Sequence, residues 1–147
     1  MNRGSPEGKV PERKVLDAWA VLAWIYGQQS AWGALDRLLE RAQAGQVVLS
    51  INMVNLGEVY YTLARREGAD RAVRFLDDFE TMPVRVAPAP NSLILEAARW
   101  KSRFRLSYAD AFAVATAVGE DAALVSGDPE LRELAEAGVV RLEWVGA

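Results

Sequence analysis

The 147-residue sequence contains no cysteine and no histidine. The absence of cysteine excludes disulfides and thiolate metal sites, and it is typical of a cytoplasmic protein. The absence of histidine excludes Ser–His and Cys–His hydrolases and the imidazole ligands of most zinc sites. Acid–base chemistry must therefore come from carboxylates, tyrosine, lysine or metal-bound water. A bound metal would meet mainly oxygen ligands, which favours Mg²⁺ or Mn²⁺.

Long apolar runs and an excess of basic charge are also missing. No run of about 18 apolar residues occurs, so no transmembrane helix and no membrane partner are predicted. The net charge of −3 means that any contact with nucleic acid needs a local basic patch. Residues 1–12 are polar, contain proline and glycine, and lack the apolar core of a signal peptide. We interpret them as a flexible N-terminal tail, followed by a single domain over residues 13–147.

Strand and helix patterns alternate along that domain. Apolar, β-rich runs predict five strands, at residues 13–18, 47–51, 84–87, 122–126 and 139–145. Helical spacing predicts helices at 19–26, 30–45, 52–66, 69–80, 92–103 and 108–118, with another beginning at Pro129. This alternation predicts a three-layer α/β/α domain with a central parallel sheet of about five strands.

Individual side chains carry more local predictions. Ser30, Asn52 and Ser107 have the chemistry of N-caps and are predicted to begin helices. Val73, Leu76 and Phe79 are predicted to point into the core. Right-handed crossovers would place the carboxyl ends of all the strands on one rim of the sheet.

Four carboxylates occupy equivalent places in this pattern. Asp17 and Asp128 follow predicted strands, whereas Glu58 and Asp110 lie near the starts of predicted helices. These places converge on one rim of a parallel sheet. Four acids that meet there repel one another unless a divalent cation binds between them. The pattern therefore predicts a metal site suited to phosphodiester chemistry.

Each acid also has a purely structural interpretation. Asp17 and Asp128 have the chemistry of helix caps or turn residues, and Glu58 could lie on a solvated surface. Asp110 lies in a helix of small residues that is predicted to be packed on all sides, where an unpaired acid is costly. The metal site is favoured because all four acids fall at the same rim.

The residues around these acids resemble the PIN-domain ribonucleases and, among them, the VapC-type toxins of toxin–antitoxin modules. The resemblance is carried in order by residues 15–18, 50–59, 106–117 and 124–131, one segment for each acid. The family usually has serine or threonine shortly after the first aspartate. This chain departs from that pattern with Ala18 and Trp19, which puts the catalytic rate in question more than the metal site.

The resemblance implies a metal-dependent endoribonuclease that uses Mg²⁺ or Mn²⁺, acts as the toxin of a VapBC-type system and forms a homodimer. Carried over by position, the catalytic and metal-binding residues are Asp17, Glu58, Asp110 and Asp128, with Ser126 and Asn55 in support. The alternative is a catalytically silent PIN-fold binding module. A receiver-type phosphoacceptor domain is disfavoured, because no lysine follows the last predicted strand.

Two groups of residues are candidates for contacts with RNA and with a cognate VapB-type antitoxin. The RNA candidates are Arg99, Lys101, Arg103, Arg105 and Tyr108, although an ordinary solvated face would also account for them. The antitoxin candidates are Trp19, Trp24 and Trp32, which would line an apolar groove for an amphipathic helix. Packing within the core is the alternative for these tryptophans.

Overall fold

Five parallel strands form the central sheet in the computed structural model, which describes residues 10–147. Most of the predicted N-terminal tail, residues 1–9, lies outside the described residues. The strands are β1 (Glu12–Leu16), β2 (Val47–Asn52), β3 (Val84–Ala87), β4 (Ala123–Ser126) and β5 (Leu142–Trp144). Their spatial order is β3-β2-β1-β4-β5. The chain therefore adds β2 and then β3 on one side of β1, crosses back, and adds β4 and β5 on the other side.

Helices connect the strands and cover the sheet. They are α1 (Ala18–Ile25), α2 (Gln29–Gln43), α3 (Met53–Glu67), α4 (Ala69–Phe79), α5 (Asn91–Arg103), α6 (Tyr108–Gly119) and α7 (Arg132–Glu136). A single 3₁₀ turn at Pro129–Leu131 precedes α7. Within residues 10–147, no helix combines the length and the apolar character needed to cross a membrane.

Side chains alternate between two apolar cores, one on each face of the sheet. Leu16 and Val125 pack with α1 to α4 on one face. Their neighbours Val15 and Leu124 pack with α5, α6 and α7 on the other. This alternation follows from the two-residue period of a strand. The predicted three-layer α/β/α architecture with a parallel sheet is confirmed.

The register of the strands aligns the rim that carries the candidate site. Leu16 of β1 pairs with Ile51 of β2 and with Val125 of β4. Asp17 directly follows β1, and Ser126 is the last residue of β4. The two residues therefore lie at the same level. They flank the point between β1 and β4 where the strand order reverses, and crevices at such switch points commonly bind ligands.

Helix α6 packs closely against the sheet because most of its side chains are small. Residues 110–117 are all buried. The polar groups in this layer are hydrogen-bonded: Asn52 Nδ2 donates to Thr116 Oγ1 at 3.1 Å, and Thr116 Oγ1 donates to the Phe112 carbonyl at 2.7 Å. The bonded polar groups fix the position of α6, which carries Asp110.

The capping predictions are confirmed at two positions and wrong at the third. Asn52 accepts a hydrogen bond from the Val54 amide at 2.8 Å, and Ser107 accepts one from the Asp110 amide at 3.1 Å. Ser30 lies inside α2, which begins at Gln29, and its hydroxyl donates instead to the Val145 carbonyl at 3.0 Å. Tertiary packing against the C-terminal segment therefore replaces the expected local bond.

Other boundaries and side-chain directions also differ from expectation. Val73 is 47% exposed, because the buried stripe of α4 runs through Ala72, Phe75 and Phe79. The last strand is shorter than predicted, and β1 begins at Glu12, within the predicted tail. These differences leave the rim of the sheet unchanged.

Candidate metal centre

Asp17 is the most deeply buried acid at the rim, with 0% exposure. Its Oδ1 accepts a hydrogen bond from the Ala20 amide at 2.8 Å and so caps α1. Its Oδ2 is buried and has no hydrogen-bond partner among the described residues. The capping interpretation and the metal-site interpretation are therefore compatible, because each uses a different oxygen of the same carboxylate.

Ser126 connects Asp17 with Asp128. Its hydroxyl lies beside the Asp17 carboxylate, whose pKa it lowers, and it accepts a hydrogen bond from the Asp128 amide at 3.0 Å. Asp128 Oδ1 in turn accepts from the Glu130 amide at 3.0 Å, which caps the 3₁₀ turn that begins at Pro129. The turn after β4 is thereby held against the end of β1.

Asp110, Asp128 and Glu130 form the tightest group of acids, with one oxygen of each lying within 4.8 Å of the others. Asp110 is only 8% exposed, although it lies in the first turn of α6. Glu130 Oε1 also accepts a hydrogen bond from the Ser107 amide at 3.3 Å, at the start of that helix. The 3₁₀ turn and α6 therefore bring their carboxylates together.

Glu130 was not among the acids predicted from the sequence. Alone, it looks like a solvated residue in the first turn of a helix. Its position in the short turn directly after Asp128 is the available signal, because the side chains of one turn lie close together in space. Only the position of α6 shows that this turn faces Asp110.

Helix α3 supplies Glu58 and Asn55 from the other side of the pocket. Glu58 Oε1 is buried and has no hydrogen-bond partner within residues 10–147. Asn55 is fully buried; its Nδ2 donates to the Ala109 carbonyl at 2.9 Å, whereas its Oδ1 has no partner in the part of the chain that the structure describes. Asn55 therefore connects α3 to Ala109. This hydrogen bond helps to hold the backbone next to Asp110 in place.

Burial and neighbouring negative charges dominate the electrostatics of the pocket. The pKa of Asp17 is raised to about 7, mainly by burial; the Ser126 hydroxyl and the hydrogen bond from the Ala20 amide oppose the rise, and the charges of Asp128 and Glu58 add to it. Burial is also the main cause that raises the pKa of Asp110 to about 9, with further contributions from Glu130, Asp128 and Asp17. The pKa of Glu58 is raised by burial and by the charge of Asp128.

These observations together fit a hard cation. Asp17 Oδ2 and Glu58 Oε1 are buried acceptors that no donor from the described part of the chain satisfies, and such groups are rare in folded proteins. All the neighbouring side-chain ligands are oxygens, the donor type that Mg²⁺ and Mn²⁺ take. The structure thus brings together all four acids predicted from the sequence and adds Glu130 to them.

The predicted RNA-binding residues lie where α5 runs into α6, beside the Asp110 end of the site. Arg99 pairs with Glu96 at 2.9 Å, and Lys101 Nζ donates to the Leu106 carbonyl at 2.9 Å. Arg103 lies over the ring of Trp100, 5.1 Å from its centroid. Their charges are thus held in place by local contacts.

Arg105 and Tyr108 complete this basic segment. Both are exposed, and the ring of Tyr108 is 43% exposed while packing against Phe112 with centroids 5.0 Å apart. Tyr108 lies two residues before Asp110. One face of the ring is used by the protein, and the remaining surface faces solvent beside the site.

Two of the three candidate groove tryptophans lie together. Trp24 and Trp32 line a groove of about 280 Å³ between α1, α2 and α4, along with Phe75 and Met82. Trp24 Nε1 donates to Asp36 at 2.9 Å, and Trp32 is 51% exposed. Trp19 does not line this groove; it packs against Gly127, beside the acids.

The sequence of the chain matches the family model of the PIN domain over residues 14–137. This match spans most of the chain and includes all the acids of the site. The protein therefore belongs to the PIN-domain family. No curated protein matches the sequence closely enough to add a more specific assignment.

Solved structures of VapBC proteins share the fold. VapBC2 from Rickettsia felis, bound to a DNA fragment from its promoter, superposes with a TM-score of 0.68 at 15% identity, covering 89% of this chain and 97% of that one. The DNA-bound VapBC from Salmonella typhimurium gives 0.68 at 14%, covering 90% and 97%. VapC20 from Mycobacterium tuberculosis, a toxin that cleaves the Sarcin–Ricin loop, gives 0.66 at 21%, covering 85% and 95%.

Proposed function

We propose that this PIN-domain protein is a metal-dependent endoribonuclease and the toxin of a VapBC-type toxin–antitoxin system. The observation that carries the proposal is the buried acidic pocket at the switch point of the sheet. Asp17 and Glu58 each have a buried oxygen without a donor there, and the pKa values of Asp17 and Asp110 are raised to about 7 and about 9. A pocket of this kind is stabilised by a divalent cation.

The ligands would be Asp17 and Asp110, with Glu58 and Asp128 completing the pocket directly or through water. When bound, Mg²⁺ or Mn²⁺ supplies positive charge for the scissile phosphate and makes water a better nucleophile. The Ser126 hydroxyl lies beside the carboxylate of Asp17 and favours its charged form. Because the chain has no histidine, a carboxylate such as Glu58 or Asp128 is the proton acceptor for the attacking water.

RNA would approach the pocket over the junction between α5 and α6. Arg103 and Arg105 form no ion pair among the described residues, so their charges are available to phosphates that must pass several acids. The exposed ring of Tyr108 is placed to stack a base. Arg99 and Lys101 contribute to the positive potential of the same surface.

The groove lined by Trp24 and Trp32 is the proposed seat of a VapB-type antitoxin. Its apolar walls carry Arg71 and Asp78 at their edges, a combination suited to an amphipathic helix. Several solved structures of similar fold are VapBC complexes. We also propose that the toxin forms a homodimer, which light scattering of the purified chain would measure.

Cleavage of RNA by the purified chain tests the proposal. We expect cleavage of cellular RNA with Mg²⁺ or Mn²⁺, none in EDTA, and sequenced ends that cluster at defined sites. Asp17→Asn keeps the cap oxygen of α1 but removes the charge, and it should abolish cleavage. Asp121→Asn is the matched control, because Asp121 is exposed at the other end of α6 and, among the described residues, pairs only with Arg141.

Two results would contradict the nuclease proposal. Cleavage that persists in EDTA would contradict the role of the metal. Binding of Mn²⁺ by the wild-type chain without cleavage of any RNA would favour the silent binding module, which the Ala18–Trp19 departure from the family pattern already suggests.

A further inference from the structure

The indole of Trp19 packs directly on the backbone of Gly127. A Cβ placed on Gly127 would lie 2.7 Å from Cζ2 of Trp19 and closer still to Cζ3 and Cη2, whereas real Cβ atoms essentially never come under 3.0 Å. Gly127 does not have a positive φ. Its backbone would accept any residue, so the ring of Trp19 is what requires glycine here.

This contact joins two segments that carry acids of the pocket. Gly127 separates Ser126 from Asp128, and the Asp128 amide donates to the Ser126 hydroxyl at 3.0 Å. Trp19 lies two residues after Asp17, in the first turn of the helix that Asp17 caps. The ring therefore spans from the segment that carries the first acid to the turn that carries the fourth.

We infer that Trp19 is a positioning residue that acts through Gly127 to hold Ser126 and Asp128 against Asp17. The inference gives a role to the position where this chain departs from the PIN-domain pattern, and it rests on the proposed function only for its activity readout. Within residues 126–128, the hydrogen bond from the Asp128 amide to the Ser126 hydroxyl restrains the turn. The rigid indole of Trp19 adds a restraint on Gly127, which lies between the two functional residues. Side chains that hold metal ligands in place commonly change metal affinity or activity by about 10- to 100-fold when removed.

Gly127→Ala tests the contact most directly, because the new methyl group must displace either the ring or the turn. We expect its kcat for RNA cleavage to fall about 10²-fold and its affinity for Mn²⁺, measured by calorimetry, to fall about tenfold. Gly119→Ala is the matched control: the glycine also has no positive φ, but its methyl group would enter open space. The control should keep wild-type values for both quantities.

The double variant Trp19→Ala/Gly127→Ala separates positioning from general stability. With the indole removed, the methyl group has room, so the double variant should bind Mn²⁺ more tightly and cleave faster than Gly127→Ala alone. Trp19→Phe, which keeps a ring against Gly127, should retain more activity than Trp19→Ala at an unchanged KM. This second comparison carries the test if Gly127→Ala does not fold.

Three outcomes would overturn the inference. Gly127→Ala could match Gly119→Ala in kcat and Mn²⁺ affinity. The double variant could be no better than Gly127→Ala. Trp19→Phe and Trp19→Ala could both lower the melting temperature while kcat and Mn²⁺ affinity stay at wild-type values. If the wild-type chain binds Mn²⁺ but cleaves no RNA, the proposed function fails, and the Mn²⁺ affinities of the variants still decide the role of Trp19.

Discussion

Replacing Asp110 by asparagine should abolish RNA cleavage and stabilise the metal-free protein. Asparagine is nearly isosteric with aspartic acid, so the close packing of α6 is preserved. Asp110 is 8% exposed and its pKa is raised to about 9. At neutral pH the folded, metal-free protein therefore keeps a proton on Asp110 that the unfolded chain releases at the ordinary value of 3.8. Asparagine has no ionisable carboxyl group, so the variant avoids the free-energy cost of retaining that proton on folding.

The size of the stabilisation follows from that difference in proton binding. Between the ordinary pKa of 3.8 and pH 7, retention of the proton costs up to about 4 kcal/mol, at about 1.36 kcal/mol per pH unit. Relaxation and water penetration reduce such costs in real proteins. We therefore expect Asp110→Asn to raise the free energy of unfolding at pH 7 by about 1–4 kcal/mol. Near pH 3 the gain should vanish, because the unfolded carboxyl is then protonated as well.

The activity should change in the opposite direction. Loss of one ligand charge weakens the cation on which the chemistry depends, so we expect kcat to fall by at least about 10²–10³. Denaturant unfolding in EDTA at pH 3 and pH 7, alongside cleavage assays with Mn²⁺, measures both effects. Asp121→Asn should leave stability within about 0.5 kcal/mol and activity unchanged.

If Asp110→Asn has a lower free energy of unfolding than the wild type at pH 7 in EDTA, the argument that burial of Asp110 destabilises the metal-free protein is refuted. A variant that cleaves RNA at the wild-type rate would refute its role as a ligand. The two results are independent, so the assay separates an error in the electrostatics from an error in the function.

Three further predictions concern the pocket and the groove. In EDTA, the free energy of unfolding should fall as pH rises from about 4 to about 9, because folded Asp17 and Asp110, with pKa values raised to about 7 and about 9, hold protons that the unfolded chain releases. Saturating Mn²⁺ should reverse this slope. A free energy of unfolding that does not change with pH in EDTA would contradict the electrostatic argument. Glu130→Gln should weaken Mn²⁺ binding about tenfold or more in calorimetry, and an unchanged affinity would place Glu130 outside the site. Trp32→Ala should weaken binding of the cognate antitoxin by about 2 kcal/mol with little change in melting temperature, whereas equal binding would exclude Trp32 from the interface.

Much of the fold follows from patterns that are local in sequence. The period-two runs and helical spacings determine five strands and the helices between them, because each element must bury one apolar face. Alternation of the two then requires a parallel sheet, and parallel crossovers bring strand ends to one rim. For that reason the sequence predicts that Asp17 and Asp128 lie just beyond strand ends, and in the structure they follow β1 and β4. The caps at Asn52 and Ser107 are local signals that depend only on the helices they begin.

Contacts between distant segments were decided by the tertiary structure alone. Ser30 donates to a carbonyl at the far end of the chain, Val73 faces outward because α4 buries the neighbouring stripe, and Glu130 joins the acids because α6 lies beside the turn that carries it. Periodicity reports which face of an element is apolar, but not the rotation and height at which two elements meet. The packing of Trp19 on Gly127 depends on that relative placement of α1 and the turn after β4, which no local pattern in the sequence encodes.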